Sequence, residues 1–218
     1  MPQPTPRILL TGFEPFGGDM LNPSGLVCRA LHGQRVARAT VHAVELPCVF
    51  GRALQALDEA LAATSPVLVV ALGLAAGRAG ISVERVAINV DDARIPDNAG
   101  AQPVDLPVVD GGPAAWFSTL PVKAIVAALH EAGLPASVSQ TAGTFVCNHV
   151  FYGLQHRLAA TGVRSGFVHV PLAAQQQAAH PGQPTLPLDD LVRGVRIVLE
   201  VALSHRGPDV LLAGGAVA

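Results

Sequence analysis

Residues 66–77 read PVLVVALGLAAG and form the most apolar run of this 218-residue chain. The run is far shorter than the roughly 18 uninterrupted apolar residues that a membrane-spanning helix requires, and Gly73 interrupts it. A short apolar run bounded by Pro and Gly is typical of a strand that is buried on both faces and ends in a turn. We therefore predict a central, parallel strand at Val67–Leu72.

Outward from this strand, strand patterns alternate with helix patterns along the whole chain. The predicted strands are Arg7–Thr11, Val41–Leu46, Glu84–Val90, Ser137–Gln140 and Gly166–Val170. The predicted helices run from the capping pair Asn22-Pro23 to about Gly33, over Arg52–Ala63, Val122–His130 and Thr144–Ala160, and from the capping residues Asp189 and Asp190 to about Leu203. This order predicts a single domain over residues 1–218, folded as a three-layer α/β/α sandwich around a largely parallel twisted sheet.

Two further segments are irregular. Residues 97–113 are rich in Pro, Gly, Asn and Asp and form a loop longer than a simple connection needs, which indicates a functional loop. The tail from Arg206 is small and apolar, and we expect it to be loose or docked on a neighbouring subunit.

Composition and charge exclude several classes of function. The formal net charge is −2 and Lys and Arg form no cluster, so nucleic acids and anionic membranes are poor candidate partners. The start of the chain, MPQPTPR, has no apolar segment of the kind that secretory signals contain. Three cysteines without the spacing of a disulfide framework favour a reducing compartment. We therefore expect a cytoplasmic protein that does not insert into membranes.

Cys147 is the strongest candidate nucleophile. It lies in TAGTFVCNHVFYGLQH, in which Val146, Val150, Leu154 and Leu158 form one apolar stripe at helical spacing. With Thr144 as N-cap, Cys147 falls in the first turn of the helix, where free backbone N–H groups and the macrodipole favour a thiolate and can bind an oxyanion. The alternative is a small buried side chain without a chemical role.

A nucleophilic thiol needs a base, and two of the eight histidines are the strongest candidates. His169 lies in GFVHVPL, at the end of a late apolar strand, where α/β enzymes present catalytic side chains. His149 is closer in sequence, but two helical positions rotate it about 200° away from Cys147. We therefore favour His169 as the base, with a structural histidine as the alternative.

Glu84 is the candidate carboxylate that orients the base. It lies in ISVERVAINV, a segment otherwise typical of a buried strand, and a carboxylate buried there requires a partner. One partner is the imidazolium of a catalytic histidine, as in a Ser-His-Asp triad. The alternative is a structural ion pair with Arg85 or Arg78.

Phe13 and Phe16 stand in the glycine-rich loop GFEPFGG of a chain that is only 4% aromatic. They could wall an apolar slot while Gly17 and Gly18 allow backbone groups to approach a ligand, or they could fill the core beneath the loop. Neither this loop nor GLAAGRAG at Gly73 has the spacing of a phosphate-binding or dinucleotide-binding motif.

These segments together resemble the pyroglutamyl peptidase I family, also called pyrrolidone-carboxylate peptidases, over nearly the whole chain. The similar stretches are GFEPFGGDMLNPS, ERVAINVDDARIPDNAGAQP, DGGPAAWFSTLP, TAGTFVCNHVFYGL, GFVHVPL and LPLDDLVR. The resemblance implies that Cys147 is the nucleophile, His169 the base and Glu84 the third member of the triad. It also implies an α/β/α fold, peptide substrates with an N-terminal pyroglutamyl residue, no metal or organic cofactor, and a homotetramer or a dimer.

The resemblance further implies a substrate site. A lactam pocket would be lined by Phe13, Phe16, Ile95, Phe145 and Val146, and Arg94 would lie near the developing oxyanion. Three residues depart from the family pattern: Leu74 replaces a common Gln, Ala76 a common Gly, and Cys48 a Thr of some relatives. These departures affect the polarity of the pocket rather than the triad.

The predicted reaction is hydrolysis of the amide bond after the pyroglutamyl residue, through a thioester with Cys147. One alternative is a cysteine hydrolase of the same fold that acts on another small acyl group. A second is a ligand-binding domain whose thiol is inert. A panel of fluorogenic substrates distinguishes the predicted activity from the first alternative. The rate of thiol alkylation distinguishes a reactive Cys147 from the inert thiol of the second.

Overall fold

The computed structural model describes residues 5–215. The strands are β1 Arg7–Phe13, β2 Arg35–Val36, β3 Ala39–Leu46, β4 Leu68–Leu74, β5 Ile81–Glu84, β6 Val86–Ile88, β7 Ala115–Phe117, β8 Ala136–Ser139, β9 Arg164–Val170, β10 Leu172–Ala173 and β11 Thr185–Leu186. The helices are α1 Pro23–Leu31, α2 Arg52–Thr64, α3 Val122–Glu131, α4 Val146–Leu158 and α5 Leu188–Ser204, with a short 3-10 helix at Ala174–Gln176.

Seven strands form the main sheet in the order β2-β3-β1-β4-β9-β5-β8. The four central strands β3, β1, β4 and β9 are parallel, whereas β2 is antiparallel to β3 and β5 is antiparallel to β9. The apolar run that begins at Pro66 becomes β4, in the middle of the sheet. The predicted α/β fold with a largely parallel sheet is therefore confirmed.

Helices cover both faces of this sheet, which explains why β4 is apolar at consecutive positions. Leu68, Val70 and Leu72 point into one core, against α1, α3 and α5. Val69 and Ala71 point into a second core, against α2 and α4. Successive side chains of a strand alternate between faces, so a strand buried on both sides has no polar position. Among residues 5–215, no helix is both long and apolar enough to cross a membrane.

Three predicted boundaries are wrong. The strand predicted at Glu84–Val90 is two strands: Glu84 ends β5, and β6 leaves the main sheet to pair with β7. Thr144 is not the N-cap of α4, because its hydroxyl donates to the Asp92 carbonyl 2.7 Å away. Asp189 and Asp190 lie in the first turn of α5 rather than at its cap. Their negative charges still interact favourably with the helix dipole from there.

Two details of the helix ends bear on the predictions. The predicted cap of α1 is confirmed, since Asn22 Oδ1 accepts a hydrogen bond from Ser24 N at 3.1 Å. The described part of the tail is not loose: the Asp209 carboxylate accepts the backbone N–H groups of Lys123 and Ala124 at 2.8 and 3.0 Å. It thereby caps the start of α3, so this part of the tail docks on its own chain, while residues 216–218 lie outside the described residues.

Candidate active site

Helix α4 places Cys147 at its second residue, in the first turn as predicted. Val146 and Val150 are fully buried against the sheet and fix the orientation of the helix. The cap residue is Phe145, and within residues 5–215 no side chain makes a capping hydrogen bond to this helix start. The backbone N–H groups around Cys147 are therefore available to a ligand, because the first turn of a helix gives them no internal partner.

The Cys147 thiol lies against β4, next to the strand that carries His169. A Cβ atom placed on Gly73 would be only 2.8 Å from Cys147 Sγ, so the sulfur rests directly on this glycine. Gly73 is in turn the register partner of His169 on β9. The side chains of His169 and Phe167 share the face of the sheet that packs against α4, with ring centroids 4.9 Å apart. The fold thus brings Cys147 and His169 together.

Glu84 holds His169 from the other side. Its side chain is fully buried, and Oε1 accepts a hydrogen bond from His169 Nδ1 at 2.7 Å and another from Arg78 Nη1 at 2.7 Å. Of the partners considered from the sequence, Glu84 thus contacts both a histidine, His169, and a cation, Arg78. With Nδ1–H donated to Glu84, the Nε2 atom of the neutral ring carries the free lone pair and can accept a proton.

Burial dominates the protonation of this pair. It raises the pKa of the Cys147 thiol; the neighbouring Cys48 thiol and the charge of Glu84 raise it further, whereas Arg78 lowers it. Burial also lowers the pKa of His169, although the hydrogen bond and charge of Glu84 oppose that shift. Both effects of burial favour a neutral thiol and a neutral imidazole when no ligand is bound. The thiolate expected from the helix start is therefore opposed by desolvation.

His149 lies elsewhere, as the helical geometry predicts. Its Nδ1 contacts Asp91 Oδ2 at 2.7 Å, and its Nε2 accepts the Gly51 backbone N–H at 3.0 Å. Both ring nitrogens are therefore engaged with loops and not with the thiol. Sequence reasoning did not reveal this role, because the partners are 58 and 98 residues distant along the chain.

The residue between Cys147 and His149 fixes the segment after β6. Asn148 is 1% exposed; its Oδ1 accepts the Ile88 N–H, and its Nδ2 donates to the carbonyls of Ile88 and Val90. The bonds of Thr144 and His149 continue this attachment to residues 91 and 92. The segment that leads to the predicted oxyanion residue Arg94 is thus held against the start of α4. Arg94 itself is exposed, and Ile95 is 40% exposed.

Aromatic side chains gather beside the start of α4. The rings of Phe16 and Phe145 are 6.1 Å apart, and Phe50 packs edge-on against Phe145 at 5.4 Å. All three are half-buried, so their rings can line a slot. Of the other three expected pocket residues, Ile95 is exposed, whereas Phe13 and Val146 are buried in the core. Phe50 was missed from the sequence, because only the fold brings the loop after β3 to this place.

A polar network ties the loops around these rings together. Glu14 Oε1 accepts the Cys48 N–H at 2.9 Å and the Asn98 Nδ2 at 2.8 Å. Asp97 Oδ2 accepts the Phe50 N–H at 2.9 Å. The loop at residues 97–113, expected to be functional, is therefore attached to the loops that follow β1 and β3. Cys48 is buried beside it, and burial together with Glu14 and Asp97 raises its pKa to about 12.

A comparison with protein families agrees with this geometry. The family model described as pyroglutamyl peptidase matches residues 6–205. The chain belongs to the pyroglutamyl peptidase family. It is 60% identical over 213 residues to a pyrrolidone-carboxylate peptidase of Cupriavidus taiwanensis, covering 96% of this chain and 98% of that protein. A pyrrolidone-carboxylate peptidase of Klebsiella pneumoniae is 59% identical, with the same coverage.

Solved structures of pyroglutamyl peptidases have the same fold. A crystal structure of pyroglutamyl peptidase I from Bacillus amyloliquefaciens superposes with a TM-score of 0.90 at 42% identity, covering 94% of this chain and 100% of that one. A mutant pyrrolidone carboxyl peptidase from Pyrococcus furiosus gives 0.88 at 41% identity, covering 90% and 98%. The predicted family, its α/β fold and the enzyme class, a cysteine peptidase, are confirmed.

Proposed function

We propose that this protein hydrolyses the amide bond after an N-terminal pyroglutamyl residue, with Cys147, His169 and Glu84 as the catalytic residues. The observation that carries the proposal is the hydrogen bond between His169 Nδ1 and Glu84 Oε1, on the face of the sheet against which Cys147 Sγ packs. A buried carboxylate, an imidazole and a thiol in this order are the components of a cysteine hydrolase.

In the first step, His169 Nε2 accepts the proton of the Cys147 thiol as the sulfur attacks the carbonyl carbon of the pyroglutamyl residue. Because burial favours the neutral pair, the proton moves during attack, and Glu84 stabilises the imidazolium that forms. The free N–H groups at the start of α4 stabilise the tetrahedral oxyanion, and Arg94 adds positive charge near it.

In the second step, His169 returns the proton to the leaving amine and a thioester remains on Cys147. His169 then activates water, which releases pyroglutamate and restores the thiol. The half-buried rings of Phe16, Phe50 and Phe145 support an apolar slot for the neutral lactam. Such a slot rejects a free α-ammonium group, because burial of an unpaired charge is costly.

The finer parts of the proposal concern the setting of the enzyme. We place residues 1–218 in one catalytic domain, in the cytoplasm, which three free cysteines support. We further propose a homotetramer, or a dimer. The exposed apolar side chains of Val104, Leu106 and Phe117 are the candidates for subunit contacts. Light scattering of the purified protein tests the oligomeric state.

A panel of aminocoumarin amides tests the substrate. The pyroglutamyl compound should be cleaved, and the prolyl and glutaminyl compounds should be cleaved at least ~100-fold less well, since one lacks the ring carbonyl and both carry an amine that is charged at neutral pH. Comparable cleavage of the prolyl amide would instead assign the site to another acyl group.

A further inference from the structure

A cavity of about 600 Å³ lies between the loop before β5 and the edge strand β8. We name it the β8 groove; it is lined by Arg78, Ala79, Gly80, Ser82 and residues 135–141. Ser137 is the register partner of Ser82, and Ser139 is that of Glu84. These side chains therefore stand on the face of the sheet that carries the proposed catalytic residues.

Arg78 joins the groove to the catalytic site. Its Nη1 donates to Glu84 Oε1 at 2.7 Å, and its Nη2 donates to the carbonyl of Thr141 at 3.1 Å. Thr141 also lines the groove. One side of the Arg78 side chain thus supports the carboxylate of the triad, and its other side forms a wall of the groove.

The order of strands places the groove on the side of the leaving peptide. The phenylalanine rings follow β1 and β3, Cys147 Sγ rests on β4, and His169 lies on β9, with β5 and β8 beyond it. His169 protonates the leaving amine, so the peptide departs on its side of the thiol. His169, Ser82 and Ser137 are successive register partners. Neighbouring strands are about 4.8 Å apart, so β8 lies two such spacings from His169, and an extended peptide covers that distance in about three residues.

The outer edge of β8 offers backbone hydrogen bonds. The carbonyls of Pro135 and Ser139 accept the N–H groups of Ile81 and Arg85 on the β5 side, each at 2.9 Å. Val138 lies between them and directs its own N–H and C=O away from β5. The carbonyl of Ala136, which also points outward, already accepts a hydrogen bond from His130 Nε2 at 2.7 Å, and residues 212–214 pack beside the Val138 side chain. In the part of the chain that the structure describes, no strand pairs with this edge, so an extended peptide can bond to the N–H and C=O of Val138.

We propose that the β8 groove binds the peptide that follows the pyroglutamyl residue, as an extended segment along β8. The proposal rests on the proposed function and adds a subsite to it. Arg78 is the only charged residue among those that line the groove. The exposed Ser137 hydroxyl can donate or accept a hydrogen bond, whereas the Ser139 hydroxyl already donates to the Thr141 carbonyl at 3.0 Å. The groove therefore recognises an extended main chain and favours long peptides without a requirement for a particular sequence.

Kinetics with two substrates test this subsite. The unmodified enzyme should cleave a pyroglutamyl hexapeptide with a higher kcat/KM than it cleaves pyroglutamyl-aminocoumarin. Ser137→Trp, at an exposed position, fills the groove. It should lower kcat/KM for the hexapeptide about tenfold, the loss expected for one or two backbone hydrogen bonds. Turnover of the pyroglutamyl-coumarin, which does not reach the groove, should stay within about twofold.

Ser204→Trp is the matched control, because it adds the same side chain at an exposed serine at the end of α5. It should leave both substrates unaffected. If Ser137→Trp lowered kcat/KM equally for both substrates, or for neither, the proposal that the groove binds the leaving peptide would be overturned. The proposal would also be overturned if Ser137→Trp changed the mass of the assembly but not the kinetics with the hexapeptide, because β8 would then form a contact between copies of the chain. Failure of the unmodified enzyme to cleave the coumarin would refute the proposed function instead.

Discussion

Replacing Gly73 with Ala should displace the Cys147 sulfur without changing the identity of any proposed catalytic residue. The added Cβ would lie 2.8 Å from both Cys147 Sγ and Phe167 Cζ, whereas ordinary contacts begin near 3.4 Å. The Phe167 ring is fully buried, so it cannot retreat, and the sulfur must move by about 0.6 Å. Because a misplacement of 1 Å can cost about 100-fold in rate, we expect kcat to fall at least about tenfold.

The assay is release of coumarin from the pyroglutamyl amide, with thermal unfolding measured in parallel. Overpacking at this site should also cost about 1–3 kcal/mol of stability. Gly194→Ala is the control, since its Cβ would crowd Ile81 Cδ1 at 2.3 Å on the opposite face of the sheet. It should leave kcat unchanged. A Gly73→Ala enzyme with full activity and an unchanged melting temperature would refute the placement of Cys147 Sγ against β4.

The remaining predictions concern the base and its partner. His169→Ala should abolish turnover, whereas His149→Ala should lower the melting temperature because it loses two loop contacts, yet keep kcat in the folded fraction; equal losses of kcat would contradict this assignment. Burial lowers the pKa of His169 and raises that of Cys147. A plot of kcat/KM against pH should therefore be level across neutral pH and fall only below the ordinary histidine pKa of 6.5 and above the ordinary thiol pKa of 9.0. A fall in kcat/KM centred near pH 7.5 would contradict this protonation of the pair. Glu84→Gln should remove the charge that raises the pKa of His169, move the acid limb to lower pH and reduce kcat sharply; a folded variant with full activity would leave a dyad.

Much of the candidate site could be predicted because each of its members conflicts with its local sequence. A carboxylate at the end of a buried strand, a histidine at the end of another and a cysteine at a helix start each required an explanation. The geometry then brought Cys147, His169 and Glu84 together. It also showed that Glu84 serves both partners considered from sequence, since His169 and Arg78 share one oxygen atom.

Contacts between distant residues could not be predicted in the same way. The amide of Asn148 bonds backbone atoms 58 and 60 residues away, and nothing in the local pattern distinguishes it from a surface residue. Thr144 has the side chain of a good N-cap, but the carbonyl of Asp92 competes for its hydroxyl. The strand predicted at Glu84–Val90 is divided because β6 finds its partner in β7, which a pattern of apolar residues does not specify.

The most direct test of the central claim is to follow coumarin release from the pyroglutamyl amide before and after treatment with iodoacetamide, and to map the alkylated residue. The account predicts that the enzyme cleaves the amide and that alkylation stops turnover in proportion to the labelling of Cys147. Cys28 and Cys48 should stay unlabelled, since both are buried, whereas Cys147 is partly exposed and lies beside His169, which can accept its proton. Activity that survives complete labelling of Cys147, or inactivation that follows labelling of Cys48, would contradict it.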